Sequence, residues 1–336
     1  MSMDLHRDIQ FQLFREIAAA LTPGRSLAEE VADILRISTD SVYRRMNGQK
    51  SLSLDEFYLL CHTYRISADK LFSIPSSGIC FDSYVLDEEK FGFGEYLHSI
   101  MLDFELAARS GMPHIIFMLN ELNLLHVLQF PEIAAFKFFF WGKSNLQFKQ
   151  YQDATFSFDR IGRLGDETVS RILKAYVRIP TTELFTAEIL NSVLKQIIYY
   201  YISGFFQSRG DAIGLCNSLL RLVGHLKQQA ELGYKFLYGT EPVNQGGTFL
   251  CYYNDLVLTD NTILFSSHEQ KMTYITTNAI NLMKSGHRGY FMQNQQWAHN
   301  IINRSTLLSG TAERERNKLF RDIVYQIQRC QLQLGE

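Results

Sequence analysis

Ser26-Leu27-Ala28-Glu29-Glu30-Val31-Ala32-Asp33-Ile34-Leu35-Arg36-Ile37-Ser38-Thr39-Asp40-Ser41-Val42-Tyr43-Arg44-Arg45-Met46-Asn47-Gly48 decides how the N-terminal part of this chain folds. Ser26 and Glu29 have capping-box spacing, in which the hydroxyl accepts a first-turn amide and the carboxylate reaches back to the cap. The helix opened there carries Leu27, Val31, Ile34 and Leu35 on one side. Ile37-Ser38 breaks that period, and Ser38 is placed to cap a second helix through Met46. Asn47-Gly48 ends it, since both residues tolerate left-handed backbone.

Working outward, Ile9, Leu13, Ile17 and Leu21 recur every four residues in a preceding helix closed by Pro23-Gly24. Downstream, Ser53-Leu54-Asp55-Glu56 is a second capping box, and its helix turns Phe57, Leu60 and Tyr64 inward. Ser67 starts a short fifth helix ending at Leu71-Phe72. These five helices form one module over residues 1–72, followed by a Ser-, Pro- and Gly-bearing linker over 73–80. With Val42 and Met46 facing the core, Thr39, Asp40, Tyr43 and Arg44 of the third helix point outward. Residues 1–72 hold nine basic and ten acidic side chains, but residues 36–50 hold four basic against one acidic. Positive charge therefore concentrates at the third helix.

Helix order, turn spacing and caps together resemble the Cro/C1-type (XRE-like) helix-turn-helix family. The resemblance is carried by Val31-Ala32, Ile37-Ser38, Val42, Gly48 and the helix pair from Leu54 to Phe72. The chain departs from the family pattern at Arg36, where a Gly is usual, at Ala28, where a Gln is frequent, and at Met46, where an acid is frequent. The resemblance implies double-stranded DNA as partner, with the third helix in the major groove. It implies base reading by Thr39, Asp40, Ser41, Tyr43 and Arg44, and phosphate contacts from Ser26, Ser38, Arg45, Gln49 and Lys50. So neutral a module binds DNA weakly alone, which points to a homodimer. Two alternatives stay open: a helix-turn-helix that contacts protein, with Arg44-Arg45 a solvated face, and an enzyme tethered to DNA.

Beyond residue 80 the composition shifts. Strands are expected at 81–85, 114–119, 248–253, 262–265 and 272–276, the third and fourth joined as a hairpin through Thr259-Asp260-Asn261. Helices are expected at 95–108, 131–146, 184–206, 212–226 and onward, 295–302 and 311–332. The fold class is mainly α with an α+β C-terminal region, residues 81–336 forming an effector or dimerisation domain. Phe130-Pro131-Glu132-Ile133-Ala134-Ala135-Phe136-Lys137-Phe138-Phe139-Phe140-Trp141 and Ser309-Gly310-Thr311-Ala312-Glu313-Arg314-Glu315-Arg316-Asn317 resemble segments of long helix-turn-helix proteins of Bacteroidetes-type bacteria. That resemblance implies a transcription-regulator architecture and brings no ligand with it.

The whole chain of 336 residues has 33 basic and 35 acidic side chains, a net charge of -2, which excludes a polybasic protein held to nucleic acid by bulk charge. With 46% hydrophobic and 20% charged residues, a large core is possible and general disorder is not. Five scattered cysteines without a C-x-x-C, and nine histidines without a paired metal spacing, support neither a disulfide framework nor a metal site. Phe91-Gly92-Phe93-Gly94 lacks the rest of a dinucleotide loop, and no nucleophile elbow is present. No cofactor and no enzymatic activity are expected. The start of the chain shows no apolar export core and no stretch reaches membrane-spanning length, so a cytoplasmic protein without a membrane partner is expected. Aromatic residues make up 13%. Their runs at 136–141 and 199–206 fit core and dimer packing, or the lining of a pocket for an apolar or ring-shaped small-molecule effector. The Glu313-Arg314-Glu315-Arg316 run, with Lys318 and Arg321, reads as a solvated helix face in preference to charge pairing across a dimer.

Overall fold

The computed structural model describes all residues except 1–2, 22–25, 65, 67, 73–77, 84–91, 161–165, 244–245, 255–260, 278–279 and 336. Among these, Pro23, Gly24, Ser67, Tyr84, Val85, Thr259 and Asp260 carried expectations that lie outside the described residues. The chain divides into two compact units, Met1–Cys80 and Phe81–Glu336.

In the first unit α1 (Met3–Ala20), α2 (Leu27–Leu35), α3 (Thr39–Met46), α4 (Leu54–Tyr64) and α5 (Ala68–Phe72) enclose a core that includes Leu13, Ile17, Val31, Val42 and Leu60, all fully buried. The two capping boxes fare differently. Ser53 and Glu56 exchange both bonds, at 3.2 and 2.9 Å, whereas the Ser26 side chain makes no cap bond and only its carbonyl takes the Glu30 amide. Arg36, at the turn between α2 and α3, is in the left-handed region at φ 54°. Gly48 also has positive φ, while Asn47 does not. A β-carbon makes the left-handed conformation costly, so Arg36→Gly is expected to stabilise this unit by about 0.5–1 kcal/mol after the added freedom of the unfolded chain is counted. Loss of helical circular dichroism in urea measures it, and an unchanged or lowered midpoint refutes it.

The second unit is mixed α/β. After α6 (Phe93–Arg109) come β1 (His114–Met118), α7 (Leu124–Val127), α8 (Pro131–Phe140), α9 (Asp166–Tyr176) and β2 (Thr181–Phe185). Then follow α10 (Asn191–Ile202), α11 (Arg209–Leu232), β3 (Phe249–Tyr253), β4 (Thr262–Ser266), β5 (Lys271–Thr277), β6 (Asn281–Ser285), α12 (Arg288–Ile302), β7 (Thr306–Leu307) and α13 (Glu313–Gln333). The strand order is β6-β5-β4-β1-β2-β3-β7, with β1, β2 and β3 parallel and the outer pairs antiparallel. Strand alternation splits the core. Ile115 and Phe117 of β1 enter the large helical core, while Ile116 and Met118 face a smaller cluster with Phe291 and Ala298 of α12.

Four expectations are corrected here. The segment 184–206 is not one helix: Thr181–Phe185 is a central strand, buried at every position, and the helix starts at Asn191. The expected hairpin between β3 and β4 is absent, because β1 and β2 lie between them; β4 pairs instead with β5. The helix from Pro131 ends at Phe140 and continues as a π-helical turn, Trp141–Asn145. Arg316 is not solvated; it is buried and donates from Nη1 to the carbonyls of Leu308 and Gly310, at 2.8 Å each. Of the strand expected at residues 81–85, the described residues 81–83 contain one bridge, in which Asp82 and Lys284 exchange amide-to-carbonyl bonds. Gly247 explains the change of pattern before β3, since a β-carbon there would sit 2.5 Å from the carbonyl carbon of Ile179.

Candidate nucleic-acid interface

The geometry of α3 follows from its period. Val42 is fully buried, and residues three and four positions on share its face. Arg45 therefore points inward, its side chain 4% exposed. Its Nε and Nη2 donate to the two Glu56 carboxylate oxygens at 3.1 and 2.6 Å, and Nη1 donates to the Ser41 carbonyl at 3.0 Å. The Arg45 guanidinium holds the Glu56 carboxyl below the usual range against the push of burial, with the Ser53 amide assisting. Arg45, expected to contact phosphate, is thus a buried brace between α3 and the cap of α4. Gln10 of α1 adds a second brace that sequence reasoning missed. Its amide donates to the Arg45 and Lys50 carbonyls at 2.5 and 2.9 Å, and its oxygen accepts from the Leu52 amide at 2.9 Å.

With that face fixed inward, Thr39, Asp40, Tyr43, Arg44 and Asn47 are exposed together on the other side of α3. Asn47, read from the sequence as a helix stop and not as a contact residue, completes this stripe at the helix end. Arg44 Nε lies 3.3 Å from Asp40 Oδ2, both side chains well exposed, an ion pair too weak to hold the guanidinium from another acceptor. Ser38 caps α3, accepting the Ser41 amide at 3.3 Å and donating to the Ser41 hydroxyl at 3.0 Å. The half-buried Ser41 is thereby tied into the cap. Gln49 and Lys50 are exposed just beyond the helix, and Ser26 is exposed at the start of α2. Glu29 and Glu30 occupy the first turn of α2, so the positive end of that helix already faces carboxylates.

Acid–base chemistry in the second unit lies inside the core. Glu183 of β2 accepts from His126 of α7 and Tyr176 of α9, and Lys235 lies over the Tyr176 ring at 4.1 Å. The four residues lie within the main apolar core, each nearly fully buried. His225 is also buried, and burial, followed by the charge of His126, lowers its pKa to about 4 from 6.5. Between those values the unfolded chain binds more protons than the folded one, so stability falls as pH drops through 6.5 toward 4. Both tryptophans, Trp141 and Trp297, lie in this unit and report its unfolding. Their urea midpoint is expected to fall by the equivalent of about 2–3 kcal/mol over that range, and His225→Asn is expected to flatten the change. An equally steep fall in the variant would refute the assignment.

Among the described residues, no cluster of three or more His, Cys, Asp or Glu can hold a metal ion, and no helix is long and apolar enough to cross a membrane. All five cysteines are among the described residues, and none is joined in a disulfide. Of the two aromatic runs, Phe136, Phe138, Tyr200 and Phe206 sit in the main core, while Trp141 lines a cavity. Compared with known families, residues 12–80 match the BetR domain, a helix-turn-helix-type DNA-binding domain. Neither a curated protein nor a solved structure matches the chain.

Proposed function

We propose that this protein is a bacterial, cytoplasmic, sequence-specific transcriptional regulator. Its N-terminal unit binds DNA, and the unit from Phe81 to Glu336 dimerises and senses an effector without catalysing a reaction. The observation that carries this reading is the stripe of Thr39, Asp40, Tyr43, Arg44 and Asn47, presented by α3 while Val42 and Arg45 anchor its back, within a segment matching a DNA-binding domain. Arg44 is the guanine reader on this reading, Thr39 and Tyr43 flank it, and Asp40 accepts from cytosine or supports the helix start. Gln49, Lys50, Ser26 and Ser38 contact phosphate. A dimer sets two such helices on half-sites about 34 Å apart.

Selection from random duplexes with the full chain tests it. The wild type is expected to enrich paired half-sites, and Arg44→Ala to lose about 10- to 100-fold on the enriched site, the range of one bidentate base contact. Lys50→Ala should instead weaken all sequences alike and shallow the salt dependence by about one ion. Absence of DNA binding at low ionic strength would refute the proposal. It would favour a protein-contacting role, for which Leu54 and Tyr58, exposed one turn apart on α4, supply an apolar face.

A further inference from the structure

Pairs of exposed apolar side chains stand on three helices of the second unit. On α13, Tyr325 and Leu332 are exposed, but a two-fold axis at Tyr325 would set Arg321 against the partner's Arg329. On α10, Tyr199 and Ile202 are exposed, and that helix has no acid to match its Lys195. On α6, Leu102 and Leu106 are 53% and 56% exposed one turn apart, and Met112, just past the helix, is 76% exposed. The charges around this last patch have a symmetry that the other two lack.

Residues seven apart share one side of a helix. Seven residues before Leu102 stands Glu95 and seven after it stands Arg109, both exposed. His98 and Leu106, four residues either way, are exposed as well. The stripe therefore runs from an acid through an apolar centre to a base, and it complements itself when turned end for end. Two copies of α6 packed antiparallel about an axis at Leu102 set each Glu95 beside the partner's Arg109. Each Leu106 then lies beside the partner's His98, and Leu102 meets its own copy.

Both charged ends have capacity for a new partner. The Arg109 side chain is 80% exposed, and its Nη2 lies 3.9 Å from Glu105 Oε2. That carboxylate is already held by Arg171, whose Nε and Nη2 donate to it at 2.7 and 2.9 Å. Glu95 uses Oε2 to accept the Gly92 amide at 3.1 Å, and a carboxylate has a second oxygen to offer. On the same register Met112 lies over the first turn of the partner's helix, where Gly94 leaves open space: a β-carbon added there would meet nothing within 4 Å outside the helix backbone.

We propose that the α6 face centred on Leu102 is the homodimer interface of this chain, its occupant a second copy packed antiparallel. This assignment rests on the dimerisation proposed above and names the surface that performs it. The contact is isologous, so it closes at two copies. One pair of 17-residue helices is a small interface beside the roughly 800 Å² per partner of a standard complex, so dissociation in the micromolar range is expected.

Sedimentation of the full chain across the micromolar range reads it, and the wild type is expected to show a monomer–dimer equilibrium. Leu102→Asp sets two carboxylates together on the axis and is expected to weaken the dimer by about 100-fold. Arg109→Glu and Glu95→Lys each place like charges at both ends, and each is expected to weaken it by about tenfold while keeping its helical circular dichroism. Mixing those two variants, one of them isotopically labelled, restores opposite charges at both ends. Native mass spectrometry is then expected to show the mixed dimer above its statistical share, a recovery that misfolding cannot imitate. A wild type that stays monomeric throughout overturns dimerisation and this face together. A Leu102→Asp dimer as tight as the wild type overturns the face and leaves dimerisation standing. A mixed dimer at its statistical share overturns the antiparallel register.

Discussion

Glu183→Leu is expected to lower the stability of the Phe81–Glu336 unit by about 3–5 kcal/mol, the usual cost of leaving buried ionic partners uncompensated. Glu183 stands on a central strand and is 1% exposed. Its Oε2 lies 2.8 Å from His126 Nε2, and its Oε1 accepts from the Tyr176 hydroxyl at 2.7 Å. Burial alone would push the carboxyl up; the His126 charge and hydrogen bond, the Tyr176 hydroxyl and Lys235 outweigh it and hold the carboxyl below the usual range. Leucine fits the space but takes the carboxylate from His126 and Tyr176, which keep only their 3.3 Å contact with each other, and leaves Lys235 with the Ile179 carbonyl. Lys235, which burial lowers to about 7 from 10.5, also loses the carboxylate that holds it up. The pH sign is definite: a depressed carboxyl stabilises above its unfolded value near 4.5, and that contribution disappears as pH falls through the folded value. The deficit of Glu183→Leu should therefore be full at neutral pH and shrink in acid. Tryptophan fluorescence in urea reads both, and Tyr176→Phe, which removes one hydrogen bond, should cost only about 1–1.5 kcal/mol. A neutral-pH loss below about 1 kcal/mol for Glu183→Leu would refute the account, because it would place the cluster outside the structural core.

That cluster was illegible in the sequence for a physical reason. Thr181-Thr182-Glu183 has the composition of a helix start, and only tertiary burial on both faces of a parallel strand makes a strand of it. Its partner His126 lies 57 residues away, beyond any local period. The same reason hid the pairing of β3 with β2: adjacency in sequence suggested a hairpin, while the parallel sheet places distant strands together. The N-terminal unit was far more legible, because caps and a four-residue apolar period are local signals. The second capping box, the α2–α3 turn and the inward Val42 all follow from such signals. Arg45 was legible in principle, since positions 42, 45 and 46 share a helix face; its charge suggested solvent, and the compensating Glu56 stands 11 residues on.

Adjacent arginines on α3 are expected to separate folding from recognition. Arg45→Ala removes the guanidinium that joins Glu56 and the Ser41 carbonyl. It leaves the Glu56 carboxylate with the Ser53 amide as its remaining cap bond and opens a gap beside Val42. Breaking such a buried pair costs about 3–5 kcal/mol, a large share of what a unit of this size has. Arg44→Ala, one residue away, removes an exposed side chain whose pairing with Asp40 is weak, so stability should change by less than about 0.5 kcal/mol. Hydrogen exchange of the α3 and α4 amides in the full chain distinguishes them: protection collapses in Arg45→Ala and persists in Arg44→Ala. DNA binding should fall in both, but for different reasons. In Arg45→Ala it should recover on cooling or with a stabilising osmolyte, which favours the folded state, whereas in Arg44→Ala it should not. If Arg45→Ala keeps full amide protection and loses only DNA affinity, the buried brace is disproved and Arg45 returns to the contact surface.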